Sequence, residues 1–573
     1  MTTILNDPTD FAATALAGFC AVHAGQVRPV PGGVVRATAT PHGKVALLVG
    51  GGSGHYPAFA GYVGPGLADA AVAGDVFASP PASRVAGVAR AAHHGGGVIL
   101  GFGNYAGDVM NFGLAARQLK GEGIEARILA VTDDVVSAPA DQQAMRRGIA
   151  GDLVVFKIAG AAAEAGMDLD AVERLGRLAN ARTRSFGVAF SGCTLPGAAQ
   201  PLFSVAAGCM ALGLGIHGEP GIAEQPIVSA AELGALLVAK LVPEAPERPG
   251  ERVAVVLNGL GRTKWEELFV LWTGVEVALH AAGLVPVDSL VGEFVTSLDM
   301  AGCSLTLTWL DAELEPLWRA PVDAPVLRRG SVAAAAPGEA TVAVQSHEKP
   351  AGFAPASSES REGAQCIAGL LDALVAALRG AEDELGQLDA LAGDGDHGQG
   401  MARGSAAAAE AARVAAAAGA GAGSLLAAAG DAWAERAGGT SGALWGAALR
   451  AWGGAIGDSA AIGPAAVAWG ARLALDAMTA LGGAKPGDKT LVDALVPFAA
   501  TLEAEVSRGR SLVEAWNAAA EASTAAAEAT AGMAPKLGRA RLHAARSLGH
   551  RDPGAVSLAL GAKVIARALA ERS

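Results

Sequence analysis

The sequence predicts an α/β unit followed by an all-α unit, and three observations carry that prediction. Up to about residue 330, short runs rich in valine, isoleucine and leucine recur, bounded by glycine or charge and many followed by a helix-length segment. From about 361 onward those runs vanish and alanine-rich amphipathic stretches replace them. Between them, "SVAAAAPGEATVAVQSHEKPAGFAPASSESREG" (331–363) mixes prolines with small and polar residues without a sustained period, as a linker does. The expected division is 1–330, with a possible subdivision near 185, a linker over 331–360, and a helical unit over 361–573.

In chain order, Phe11 to Val22 reads as a first helix. Asp7 and Asp10 precede it and no basic segment does, which argues against a signal peptide. "KVALLVG" (44–50), "GVILGFG" (97–103), "ARILAVT" (126–132), "DLVVFKIAG" (152–160) and "RVAVVLNG" (252–259) are expected as strands of a largely parallel sheet, and "SFGVAFSGCTLPG" (185–197) opens a new run. In the second half, 403–439 and 511–533 are expected as helices.

Composition narrows the function. Hydrophobic residues make up 51% and charged residues 17% of the 573, so a large core can form. A net charge of -13 excludes a nucleic-acid backbone binder, and any phosphate must be held locally by amides, a metal or a few cations. The five cysteines are widely spaced with no CxxC pair, which fits free thiols in a reducing cytoplasm and neither a disulfide framework nor a zinc site. No uncharged apolar run reaches the ~18 residues of a membrane span.

Four clusters carry chemistry. "GGGSGHYP" (50–57) follows a strand; its successive amides suit a phosphate or a polyol, or simply make a tight strand-to-helix turn, and His55 adds an acid or base. "GFGNYA" (101–106), with Glu122 and Glu125 about 20 residues on, matches a dinucleotide-binding pattern and supplies a rival reading, a nicotinamide-dependent oxidoreductase. Asp108 follows, placed to orient or deprotonate a hydroxyl or to cap a helix. "MALGLGIHGEPG" (210–221) delivers His217 from an apolar run into a glycine turn near Glu219. Lastly, "LDALAGDGDHGQGM" (388–401) crowds Asp389, Asp394 and Asp396 beside His397. The positions of an EF-hand loop are not met, so the set suits hard cations that keep open positions for phosphate oxygens, or a solvated acidic loop. "GGTSGALWG" (438–446) adds Thr440 and Ser441 near a helix start, a setting suited to phosphate.

Taken together these segments resemble the dihydroxyacetone kinase family in its single-chain form, with a ketose-binding unit fused to an ATP-binding unit. The resemblance covers essentially the whole chain, through "GGGSGHYPAFAGYVG", "GDVFASP", "GNYAGDVMNFG", "FKIAGAAAE", "GLGIHGEPG", "VTSLDMAGCSLTL", "GDGDHG", "GGTSGALWG", "KPGDKTLVDAL" and "RSLGHRDPGA" in family order. It implies a two-part α/β ketose unit and an antiparallel barrel of helices whose rim carries the metals. It also implies that His217 adds to the substrate carbonyl as a hemiaminal, a chemistry that selects ketones over glycerol. His55 would be the proton acceptor, Asp108 would bind substrate hydroxyls, and Gly52, Ser53 and Gly54 would line the pocket. Asp389, Asp394 and Asp396 would hold a pair of Mg²⁺ ions. His397, Gly398, Gln399, Gly400, Thr440, Ser441, Gly482, Leu491, Arg539, Asp552, Pro553 and Gly554 would fall on nucleotide contacts. A cytoplasmic homodimer is expected, with no nucleic-acid or membrane partner.

Two departures bear on the substrate. Dihydroxyacetone-specific members usually read GSGHEP, where this chain has Tyr56, and carry lysine where it has Gly103. Both positions border the pocket, so a longer ketose is expected: erythrulose, with dihydroxyacetone as the alternative. Free ATP is the expected donor, because both units share one chain and no phosphocarrier module follows; an FAD-cyclising side reaction, known in animal relatives, ranks low. The acidic cluster counts against the oxidoreductase, and the intact set His55, Asp108, His217 and the three aspartates counts against a non-catalytic sugar-binding regulator.

Overall fold

The computed structural model describes residues 3–219, 221–331, 353–391, 393, 395–538, 540–541 and 544–571. It divides into two compact units, Met1–Gln345 and Ser346–Ser573.

The first unit is built on two sheets. β1 (Val27–Val30), β2 (Gly33–Arg36), β3 (Ala46–Ser53), β4 (Ala70–Val76), β5 (Val98–Gly103) and β6 (Ala126–Val131) form the first, in the order β1-β2-β4-β3-β5-β6. Its central pairings, β4 with β3, β3 with β5 and β5 with β6, are parallel. The chain enters the second sheet with β7 (Thr183–Ala189), then adds β8 (Cys209–Leu212), β9 (Ala223–Pro226), β10 (Arg252–Gly259), β11 (Val285–Pro286), β12 (Leu290–Gly292) and β13 (Gly302–Trp309). There β10, β13, β7, β8 and β9 pair antiparallel in that order, while β11 and β12 run parallel to β10. A hairpin, β14 (Val322–Ala324) with β15 (Leu327–Arg329), is the last pairing among the described residues of the unit.

Its helices are α1 (Phe11–Val22), α2 (Ala82–Ala92), α3 (Ala106–Gly121), α4 (Gly151–Glu164), α5 (Leu169–Ala181), α6 (Ala230–Leu241), α7 (Trp265–Ala281) and α8 (Leu314–Arg319). The expected strand over 152–160 is instead the body of α4. Residues Gly151 to Ala163 are all buried, so the helix needs no polar face and its periodicity is erased. β5 and the stretch Val253–Leu257 of β10 are likewise buried and apolar on both faces, the pattern in which strand and buried helix cannot be told apart.

The second unit is all helix: α9 (Ser358–Gly380), α10 (Glu382–Ala390), α11 (His397–Ala417), α12 (Ala422–Ala437), α13 (Gly439–Ile456), α14 (Pro464–Gly482), α15 (Leu491–Ser507), α16 (Leu512–Ala529), α17 (Ala544–Ser547) and α18 (Pro553–Ala570). The helices α9, α11, α12, α13, α14, α15, α16 and α18 each pack on the next, and α18 packs back on α9, so the ring is closed. Small residues let the helices approach: a Cβ on Gly430 would stand 2.7 Å from the Gly446 carbonyl oxygen, and one on Gly453 2.5 Å from that of Gly423. The chain's last helix thereby completes the core begun by α9, whose Ala364, Leu371, Leu374 and Leu378 are buried. α9 and α18 are also long and apolar enough to cross a membrane by length and composition alone, and here both pack within the ring. All five cysteines are free thiols.

Candidate active site

The carboxyl ends of the parallel strands are where an open α/β sheet presents loops to a ligand, and the predicted residues of the first unit gather there. At the end of β3 the chain must pass close beneath Phe77: a Cβ on Gly52 would stand 2.8 Å from the Phe77 carbonyl carbon and the Ala78 nitrogen, and Gly54 adopts φ +101°. Side chains are therefore excluded from both positions. The Ser53 hydroxyl donates to the Gly74 carbonyl at 2.6 Å, which fixes the turn.

His55, which follows, is buried and held on three sides. Its Nδ1–H donates to the Thr296 carbonyl at 2.7 Å, its ring stacks on Phe77 at 5.0 Å between centroids, and its Nε2 lies 3.0 Å from Nε2 of His217. Phe77 sits at φ +56°, a conformation costing about 1 to 3 kcal/mol in a bulky residue. Its ring also meets His217 edge-on at 5.0 Å, so the strained residue braces both histidines.

His217 comes from the turn after β8. Its backbone N–H donates to Glu219 Oε2 at 3.0 Å, its Nδ1 lies 3.2 Å from Glu219 Oε1, and the Tyr105 ring meets it edge-on at 4.8 Å. The loop 294–298 clamps both histidines. Thr296 N–H donates to the His55 carbonyl, Leu298 N–H to the Gly54 carbonyl at 2.9 Å, and the Ser297 hydroxyl to the Ile216 carbonyl. That loop is itself held by Asn258 at the end of β10. Fully buried, Asn258 accepts from the Phe294 and Val295 amides at 2.8 and 3.0 Å and donates to the Val295 carbonyl at 2.8 Å. Asp108 is buried in the first turn of α3, whose N-cap position is held by Tyr105, so Asp108 is not the cap.

The protons of this site can be counted from geometry. The Thr296 carbonyl only accepts, so His55 Nδ1 carries hydrogen. With Glu219 ionised, His217 Nδ1 does so too. Two neutral imidazoles would then face each other through lone pairs at 3.0 Å, a contact that becomes a hydrogen bond when one further proton lies between the Nε2 atoms. With that proton on His55 Nε2, the pair can pass it to a carbonyl oxygen as the His217 Nε2 lone pair turns from His55 to the carbonyl carbon.

In the second unit the predicted residues cluster at helix N-termini. His397 opens α11, buried, with Nε2 2.9 Å from the Ser557 hydroxyl and Nδ1 3.5 Å from that of Ser441 in the first turn of α13. Burial lowers its pKa. Gly554, in the first turn of α18, packs on Leu491 at the start of α15: a Cβ there would stand 3.2 Å from the Leu491 Cβ. Asp552 is the N-cap of α18 and accepts from the Ala555 amide at 2.7 Å; Pro553 is the first helical residue. Burial, with Asp389 and Asp493 adjacent, pushes its carboxyl up to about 7. Thus the N-termini of α11, α13, α15 and α18 share one rim, a ready-made anion site.

Gly398 is explained by packing, since a Cβ would stand 2.0 Å from the Glu382 carbonyl oxygen. Gly400 and Thr440 are half-buried in first turns, Gln399 is exposed on α11, and Gly482 ends α14 ahead of a left-handed Gly483. Asp394 and Arg539 lie outside the described residues. Asp389, at the end of α10, accepts from the Gly395 amide at 2.9 Å, and Asp396 is the N-cap residue of α11. The described residues bring no complete ligand set together here, while the carboxylate oxygens of Asp389 and Asp396 are the donor type that a hard divalent cation takes. Lys489 and Asp493, quoted above only inside a longer motif, belong to this rim too. Asp493 accepts from the Gly487 and Thr490 amides, and buried Lys489, at φ +59°, donates to the Ser547 carbonyl at 2.6 Å.

The dinucleotide pattern is not met: Glu122, after α3, pairs with Arg90, and Glu125, before β6, pairs with Arg127, at the opposite end of the strands from the glycine turn.

Comparison with known proteins agrees with both units. Residues 17–326 match the Dak1 domain and 391–567 the DAK2 domain. The chain is 55% identical to the D-erythrulose kinase of Mycolicibacterium smegmatis, over 99% of this chain and 98% of that one. It is 51% identical to the L-erythrulose 1-kinase of the same organism, over 99% of each chain. Among solved structures, the dihydroxyacetone kinase from C. freundii in complex with AMP-PNP and Mg²⁺ matches over 100% of both chains, at 32% identity and a TM-score of 0.52.

Proposed function

We propose, for a chain that belongs to the dihydroxyacetone kinase family, that it transfers the terminal phosphoryl group of ATP to a hydroxyl of erythrulose. It is a phosphotransferase with an alcohol acceptor, and erythrulose is favoured over dihydroxyacetone by full-length relatives at 51 and 55% identity. The observation that carries the mechanism is the His55–His217 pair at 3.0 Å, fixed from both sides by Thr296 and Glu219.

In this reading His217 Nε2 bonds to the ketone carbon and tethers the acceptor, while Asp108 receives substrate hydroxyls beside it. Tethering converts a bimolecular encounter into an oriented one, and orientation is most of what phosphoryl transfer asks of a protein. Tyr56, half exposed beside the same turn, and Gly103 leave the pocket without the charged side chains usual in dihydroxyacetone-specific members, which suits the extra hydroxymethyl of a four-carbon ketose.

Asp389, Asp394 and Asp396 would hold Mg²⁺, which neutralises charge on the nucleotide phosphates when bound. The helix N-termini of the rim, with His397, Ser441, Leu491 and Gly554, would receive the phosphates and the nucleoside. We take the 4-hydroxyl as acceptor. Family resemblance further implies a homodimer in which the ketose unit of one chain serves the helical unit of the other, a state that sedimentation reads directly.

The test is phosphorylation of D-erythrulose, L-erythrulose, dihydroxyacetone and glycerol with ATP and Mg²⁺, with product mass and phosphate position determined and His217→Ala as control. The expected result is preference for one erythrulose enantiomer, lost in the variant. Equal or better efficiency on dihydroxyacetone refutes the substrate assignment, a 1-phosphate product refutes the 4-hydroxyl, and turnover surviving in His217→Ala refutes the tether.

A further inference from the structure

Glu219 does not stand alone behind His217. It is 3% exposed, and a carboxylate so buried needs a compensating charge. Arg147 supplies one from the loop that precedes α4. Its Nε and Nη2 both donate to Asp134 Oδ2, at 3.0 and 2.7 Å. Its Nη1, buried and without a hydrogen-bond partner, lies 3.6 Å from Glu219 Oε2, within ion-pair reach. The contact sits under Gly215, where a Cβ would stand 2.1 Å from Glu219 Oε2 and 2.8 Å from Arg147 Nη1. Glycine is therefore demanded at that position by the very pair it covers.

Among the described residues, His217 faces His55, Glu219 and Tyr105; Glu219 faces Arg147, Tyr105 and the Cys193 thiol; Arg147 faces Asp134 and Tyr105. Asp152 also acts on the Tyr105 hydroxyl, and Asp133 and Asp108 act on Asp152 in turn. The Tyr105 hydroxyl is buried without a hydrogen-bond partner and stays protonated, because burial and then Glu219 disfavour its anion. Arg147 is the cation that the described residues place within ion-pair reach of Glu219. If Glu219 held the proton, His217 Nδ1 would accept, Nε2 would carry hydrogen, and the nucleophilic lone pair would be gone.

We propose that Arg147 is a positioning residue that keeps Glu219 ionised, and so keeps the shared proton between His55 and His217. The inference rests on the tether read above. As His217 Nε2 bonds to the ketone carbon, the carbonyl π bond breaks and its electron pair goes to oxygen, which takes the shared proton from His55 Nε2. His217 retains Nδ1–H, and the positive charge now on its ring faces Glu219. Charge is conserved, and no other reagent is required.

The test is the pH dependence of kcat/KM for erythrulose phosphorylation by the full chain, in wild type, Arg147→Met, Arg147→Lys, Asp134→Asn and His217→Ala. Loss of the cation in Arg147→Met makes Glu219 easier to protonate, so the acid limb moves up by about one pH unit or more, and kcat/KM at neutral pH falls about 10²-fold. Arg147→Lys restores most of that loss. Asp134→Asn releases Arg147 to Glu219 alone and moves the acid limb down. A structural role alone would move Arg147→Met and Asp134→Asn in the same direction, or neither, and either result overturns the inference. Should Arg147→Met not fold, an unmoved or raised acid limb in Asp134→Asn overturns it equally. Activity surviving in His217→Ala overturns the tether itself, and is distinguishable because it leaves the His217 variant active.

Discussion

Asn258→Leu tests how the site is held, because Asn258 is fully buried behind the loop that clamps His55. Leucine conserves the bulk and removes the polar atoms. The Phe294 and Val295 amides lose their acceptor, and the Val295 carbonyl and Ser304 hydroxyl lose a donor, in a position with no exposure to water. Stranding a buried polar group costs about 1 to 3 kcal/mol. The three backbone groups together then cost about 3 to 6 kcal/mol after partial relaxation, a large share of a typical stability of about 5 to 15 kcal/mol. The loop is tied to β10 mainly through this side chain, so the damage should be local first: amides 294 and 295 lose hydrogen-exchange protection ahead of neighbouring β13. A clamp displaced by about 1 Å costs on the order of 10²-fold in kcat/KM, with Mg²⁺ dependence unchanged. Wild-type protection at both amides together with wild-type kcat/KM would refute the reasoning.

Three further outcomes follow from single positions. Gly52→Ala places a Cβ 2.8 Å from backbone atoms of Phe77 and Ala78; it should cost about 1 to 3 kcal/mol by urea unfolding and reduce kcat more than the folded fraction explains, whereas unchanged kcat would mean that the turn has slack. Lys157 is fully buried, donates to the Leu317 carbonyl, and burial lowers its pKa to about 7. The unfolded chain then binds more protons between about 7 and the ordinary lysine value, so stability should rise with pH across that window by up to about 1.4 kcal/mol per unit. Lys157→Met should lack that slope in urea unfolding at pH 7 and 9, and an identical slope would show the ammonium is solvated. Asp389→Asn should raise the Mg²⁺ concentration for half-maximal rate about tenfold or more while leaving the ketose KM within about twofold; equal changes in both would place Asp389 outside the metal site.

How much was legible in the sequence differs by unit and by residue. Glycine-bracketed histidines after apolar runs announced His55 and His217, because only a post-strand turn needs that spacing. The acidic loop announced Asp389 and Asp396, because clustered carboxylates are conspicuous in an alanine-rich chain. The run 152–160 misled, since a helix buried on every side has no period to read. Glu122 and Glu125 misled because their arginine partners, Arg90 and Arg127, become visible only once the chain is folded.

By itself, then, the sequence determined the division into an α/β and an all-α unit, the glycine turns and the candidate side chains set in them, because these depend on local preference and spacing. Tertiary structure alone decided that His55 and His217, 162 residues apart, meet at 3.0 Å between their Nε2 atoms, and that Asn258, Phe77 and Arg147 lie around them. It also decided that His397, Ser441 and Ser557 meet at one rim. Such roles depend on which burial partner a residue acquires across the fold, and a buried asparagine or arginine has the same letters whether it holds a site or merely fills a core.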